Sequence, residues 1–326
     1  MKERLKGGML RVRCVLSQIG RLFKRPGGEI RLWARLAGGV LLYLALVVAG
    51  SMLFGLAITA ILNFFGVTSR NLTLQPAWLQ VLSIQYGSWL SLFQQLMACL
   101  AAFLGFKWLL KRPFLKSLHL RGHGPEGALG LLTGLLIPVL MFCLFRAMDA
   151  VRLGWPVSSA RFTPYLLLYA LCMAAVAFGE EALLRGYLMN AFKGARLRVG
   201  GLLLSAVATV LLHGLGSGLS PLGYGNLFLL GLLMGYLYLR TGSVLAGAGI
   251  SAGFRFMTYG VLGFYGNAIT PVSAMLETYP VSREILTGGE LGPENGMMMT
   301  VFLIAALALT CLWANRRYAD YDFFDS

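Results

Sequence analysis

The chain is predicted to be an all-α, polytopic membrane protein with about eight transmembrane helices. Three observations predict it. Of the 326 residues, 57% are apolar and only 13% charged, whereas a soluble domain carries roughly 25% charged residues. The mean hydropathy is +0.71. Apolar runs also recur at the length that crosses a bilayer core, about 20 residues in helical form. The formal charge of +15, from 28 Lys plus Arg against 13 Asp plus Glu, would suit nucleic acid, but its distribution excludes that partner. Ten basic residues (Lys2, Arg4, Lys6, Arg11, Arg13, Arg21, Lys24, Arg25, Arg31 and Arg35) precede the first long apolar run, and most others fill short gaps between runs. That is the pattern of loops facing anionic lipid.

Residues 1–36 form a basic segment. With Leu5, Leu10, Val12, Val15, Leu16, Ile19, Leu22 and Phe23 among its cations, it is read either as an amphipathic helix on anionic lipid or as a basic tail that sets topology. Eight apolar segments follow, at 37–62, 88–110, 128–148, 164–184, 199–215, 222–239, 243–264 and 297–315. With a cytoplasmic N-terminus, the loops holding Lys107, Lys111, Arg112, Lys116 and Arg121, then Arg185, Lys193, Arg196 and Arg198, then Arg240, share one side with the tail residues Arg316 and Arg317. Eight crossings in a cell membrane, with both termini cytoplasmic, satisfy this bias. Arg146, Arg152 and Arg161 disagree with it. The stretch with Glu277, Glu284, Glu290 and Glu294, opposed only by Arg283, falls outside. The chain thus divides into the segment 1–36, two helices and a loop over 37–124, a core over 125–265, and an acidic outer loop, last helix and tail over 266–326. Five scattered cysteines show no CxxC spacing and read as small buried hydrophobes.

An ionisable group inside a membrane helix costs about 2.5–3.5 kcal/mol even on a lenient scale, so the charges within these segments need a reason. Glu180, Glu181 and Arg185 lie in AAVAFGEEALLRGYLMNAF, His213 in TVLLHGLG and Arg255 in SAGFRFMTYG. On a helix, Glu181 and Arg185 stand one turn apart and pair, each partly compensating the other. Glu180 points about 100° away, on the face of Leu184 and Tyr187, with no partner on its own helix. An unpaired carboxylate beside apolar walls is suited to take a proton from water and return it. His213 on the following helix is its natural second member. The bland alternative is an intramembrane clasp from Glu181 to Arg185, Glu180 in interfacial water, and His213 as hydrogen-bonded packing. Glu180, Glu181 and His213 also number enough for a divalent ion, but Arg185 and Arg255 oppose a cation, so no metal or cofactor is expected. His119 and His123 have helical spacing, yet Gly122, Gly124 and Pro125 break the helix, and a polar loop is the better reading.

The segment GEEALLRGYL resembles the EExxxR motif of the CPBP family, the CAAX-type intramembrane proteases and bacteriocin-processing proteins. The likeness extends to the helix bearing His213, to GLLMGYLYLR and to TGSVLAGAGI, covering about residues 125–265. The resemblance implies a helical-bundle peptidase that needs no covalent intermediate and no required metal, with Glu180 as general base, His213 assisting, and Glu181 and Arg185 organising the motif. It further implies a membrane-associated, prenylated or otherwise hydrophobic peptide as substrate, cut at or near the cytoplasmic boundary. This sequence departs from the family at three positions. Thr209 stands where the FxxxH motif has its aromatic residue, and Ser251 and Arg255 stand where the last motif has HxxxN or HxxxD. Ser251 and Arg255 either donate hydrogen bonds to a developing oxyanion, or Arg255 pairs directly with Glu180 and weakens it as a base. The first outcome suits an endopeptidase. The second suits a non-catalytic relative acting as scaffold, immunity factor or partner-binding protein, and a direct contact between Arg255 and Glu180 would favour it. A transporter would instead predict paired halves with broken helices, which the sequence lacks.

Overall fold

The computed structural model describes residues 30–318 apart from 69–70, 72–73, 85, 155–163, 194–197, 215–217 and 265–273. Most of the basic N-terminal segment, together with Arg161 and Arg196, therefore lies outside the described residues.

The apolar runs fold as helices, near the expected limits. In chain order they are α1 (Leu32–Phe64), α2 (Ala77–Ile84), α3 (Tyr86–Gly105), α4 (Phe114–Ser117), α5 (Gly124–Ala147), α6 (Pro164–Glu181), α7 (Arg198–Gly214), α8 (Pro221–Thr241), α9 (Leu245–Arg255), α10 (Glu284–Thr287) and α11 (Met297–Arg317). Three of them run on into π-helical turns, Phe106–Leu110 after α3, Ala182–Met189 after α6 and Phe256–Val261 after α9. Among the described residues, six rods are long and apolar enough to span a bilayer, and Val199–Gly214 is apolar but shorter. The protein is thus a multi-pass membrane protein built as a helical bundle.

Two limits differ most from expectation. The first helix starts at Leu32 rather than at 37. The rod holding the acid pair ends beyond 184, because its π turn carries it to Met189. A further feature has no periodic signal in the sequence: β1 (Val151–Gly154) pairs antiparallel with β2 (Glu277–Pro280), Val151 opposite Pro280. Four-residue strands are too short to show a repeat of two.

The helix α9 is central, packed against α5, α6 and α8. Its contact with α5 is made backbone to backbone. A β-carbon at Gly130 or Gly134 would strike the carbonyls of Ala246 and Ile250, and one at Gly249 or Gly253 would strike α5 in return. Without a hydrophobic driving force between helices in lipid, such small-residue seams supply the van der Waals contact that holds them together. Around the seam, Ile137, Met141, Phe145, Leu233, Met234, Ile250, Phe254, Met299 and Leu303 form a buried cluster.

The two ends of the bundle differ. At one, His119 Nδ1 lies 3.1 Å from the Gly242 carbonyl and Arg240 donates to the Tyr318 carbonyl at 2.7 Å, which gathers the basic loops. At the other lie the β1–β2 pair, with Arg152 on it, and the segment 284–296. The two discordant arginines that are described, Arg146 and Arg152, do sit opposite the basic loops.

Candidate active site

The Glu181 carboxylate and the Arg185 guanidinium form the expected one-turn pair, at 2.8 Å, with side chains 3% and 1% exposed. Arg185 also donates to Thr209 Oγ1 at 3.0 Å and to the Gly231 carbonyl at 3.1 Å, and Thr209 donates to the Ser205 carbonyl at 2.9 Å. One guanidinium therefore ties α6 to α7 and α8. Thr209, the departure from the family's aromatic residue, serves as its acceptor. Gly247 of α9 completes the fit, since a β-carbon there would collide with the Glu181 carboxylate.

Glu180 has no partner on its own helix, and of the two outcomes set out for Arg255 the structure shows the direct pair. Arg255 grips both of its oxygens, Nη1 to Oε1 at 3.1 Å and Nη2 to Oε2 at 2.7 Å. The partner was invisible from the helix of Glu180 because it stands 75 residues later, on α9. His213 Nε2 is 3.6 Å from Glu180 Oε2, close enough to share an intervening proton carrier but beyond a normal hydrogen bond. Of this group, the Arg255 and His213 side chains keep 18% and 24% exposure, against 6% for Glu180.

These groups line one cavity of about 420 Å³. Glu180, Glu181 and Arg185 come from α6 and its π turn, Thr209 and His213 from α7, and Ser251 and Arg255 from α9. All six predicted site residues are thus brought together. Leu212, Leu230, Met299 and Leu303 supply apolar wall, a combination usual for a ligand pocket. Two further contributors escaped sequence reasoning. Gln95 of α3 lines the cavity beside α6, where a β-carbon on Gly179 would press on the Gln95 carbonyl. Glu294 enters from the segment before α11. Nothing in the apolar period of α3, or in the GPENG sequence around Glu294, marks either one.

Glu180 and Arg255 each lie about ten residues from the basic end of their rods, about 15 Å at the helical rise. The π turns begin immediately after Glu181 and Arg255, consistent with the concentration of such bulges at functional sites. Among the described residues, no three His, Cys, Asp or Glu side chains converge as a metal site.

What the arrangement can do is bind a polar group within apolar walls. Guanidinium, hydroxyl and imidazole donors face it, and the carboxylate is already engaged. Residues 161–257 match the family model described as type II CAAX prenyl endopeptidase Rce1-like. No curated protein and no solved structure matches the chain. That match spans the acid pair, Arg185, His213, Ser251 and Arg255, and it supports the likeness of this part of the chain to the CAAX protease, or CPBP, family.

Proposed function

We propose that the cavity receives a membrane-associated peptide, prenylated or otherwise apolar at its end, and that in the arrangement described the protein holds this peptide without hydrolysing it. The observation that carries this reading is the two-point grip of Arg255 on Glu180. A carboxylate offers about four lone-pair sites on two oxygens, and the guanidinium fork takes one on each. Water must compete with a charge-assisted bidentate contact, the strongest kind of hydrogen bond a carboxylate makes. The missing last-motif amide is thus replaced by a group that occupies the base.

The endopeptidase reading has its own support. The EExxxR residues are assembled, His213 stands by Glu180, and Arg255 is the more accessible of the two arginines in the cavity wall. In that reading the guanidinium leaves Glu180 for the oxygen of the attacked carbonyl, where positive charge stabilises the oxyanion. Glu180 then takes a proton from water, and His213 assists. The cytoplasmic placement of both termini, and contact of the basic N-terminal segment with anionic lipid, belong to both readings and rest on the charge bias of the loops.

Purified full-length protein in detergent, given fluorescent membrane-anchored peptides with and without a prenyl group, separates the two. The proposal expects binding by anisotropy and intact peptide by mass spectrometry. Cleavage by the wild type that is lost in both Glu180→Gln and His213→Ala establishes the endopeptidase instead. Absence of binding to every peptide removes the proposal.

A further inference from the structure

The segment before α11 is fastened onto the start of α8. The Asn226 amide donates to the carbonyls of Glu294 and Gly296, at 2.8 and 3.0 Å. Ser220 donates from its backbone N–H and its hydroxyl to Asn295 Oδ1, at 2.9 and 3.2 Å, and the Asn295 amide donates back to the Leu291 carbonyl at 2.9 Å. Thr300 secures Asn226 from α11, at 2.7 Å. A β-carbon at Gly223 would collide with the Asn295 carboxamide, so the close seat depends on that glycine. The consequence is that Glu294, read from the sequence as part of an outer acidic loop, is half-buried in the wall of the cavity that holds Glu180 and Arg255.

With His213 neutral, the charges of this cavity do not balance if every carboxylate is ionised. Glu180, Glu181 and Glu294 face Arg185 and Arg255. Arg185 is taken by Glu181 and Arg255 by Glu180, which leaves Glu294 as the carboxylate without a salt bridge of its own among the described residues. An unpaired buried charge is the most costly polar group a protein can hold, and the usual relief is neutralisation. We propose that Glu294 stands in this cavity as a neutral carboxylic acid and donates its hydrogen to a carbonyl oxygen of the bound peptide. The surroundings agree. Burial pushes the Glu294 carboxyl above its ordinary range, against the downward pulls of the Tyr259 hydroxyl and of Arg255. Tyr169 of α6, Tyr259 of the π turn after α9, and Arg255 are the titratable groups that face it. The donor role rests on the reading of the cavity as a peptide site, whereas the neutral state does not.

The test uses full-length protein in detergent and two measurements. Infrared spectroscopy should show a carboxylic-acid carbonyl component that disappears in Glu294→Gln and survives in Glu180→Gln. A spectrum unchanged by Glu294→Gln overturns the proposal. With the membrane-anchored peptides, Glu294→Ala should weaken binding by about fivefold to tenfold, the loss of one hydrogen bond. Glu294→Gln, which keeps a neutral donor, should stay within about twofold of the wild type. Unweakened binding by Glu294→Ala overturns the donor role. If the wild type binds no peptide, the cavity reading and the donor role fall together, and the infrared component alone decides whether Glu294 is neutral.

Discussion

The adjacent glutamates of one motif meet two arginines in different settings. Glu181 and Arg185 share a helix and are closed off, at 3% and 1% exposure, with Thr209 Oγ1 and the Gly231 carbonyl both accepting from Arg185 Nη2. Glu180 and Arg255 come from helices 75 residues apart and stand at a cavity wall, with the arginine 18% exposed. The same pair of residue types therefore does two jobs. The closed pair joins three helices and is almost wholly buried. The open pair is a contact that an incoming oxygen can compete for. What separates the two glutamates is access, not residue type.

The comparison breaks most visibly at Arg185. Arg185→Met should cost about 3–5 kcal/mol, because it strands Glu181 in the interior, and thermal unfolding in detergent measures it. A loss near that of Arg255→Asn would show that the two pairs are not different in kind. Thr209→Val removes one acceptor from the same guanidinium and should cost about 2 kcal/mol by the same measurement. Arg255→Asn should cost only about 1 kcal/mol, since an amide donor remains and the cavity is open. Its effect on the bound peptide should be larger than its effect on stability: freeing Glu180 should allow slow cleavage, read by mass spectrometry, if the grip is what prevents it.

The smallest expected effect lies outside both pairs and serves as a control for them. Burial, with Arg112 nearby, brings Lys193 down from 10.5 to about 8. Between those values the unfolded chain holds more protons than the folded one, so stability rises with pH from about 8 to 10.5. Lys193→Gln should flatten the melting temperature across that window while leaving peptide binding unchanged. A rise that persists in the variant would assign it to another group.

Much of the bundle can be read before folding. Apolar runs of bilayer length leave few alternatives, since an unsatisfied backbone cannot cross lipid, and the eight expected segments all appear as rods. The Glu181–Arg185 pair is equally plain, because both partners lie within one turn of one helix. For Glu180 the sequence left two outcomes open for the complementary reason: only neighbours on its own helix can be read from spacing, and Arg255 is not one. Gln95 was missed because it belongs to a helix outside the motif segment. Glu294 was missed because its position depends on Asn226 and Ser220 holding its loop from another rod.

By itself the sequence determined the solvent, the helices and the identity of the charged residues, because hydropathy and one-turn spacing are local properties. The tertiary structure alone decided which charges meet. Pairing across helices depends on how deeply each rod sits and how closely glycine lets it approach, as α5 and α9 do at Gly130 and Gly253, and neither quantity is set within a single helix.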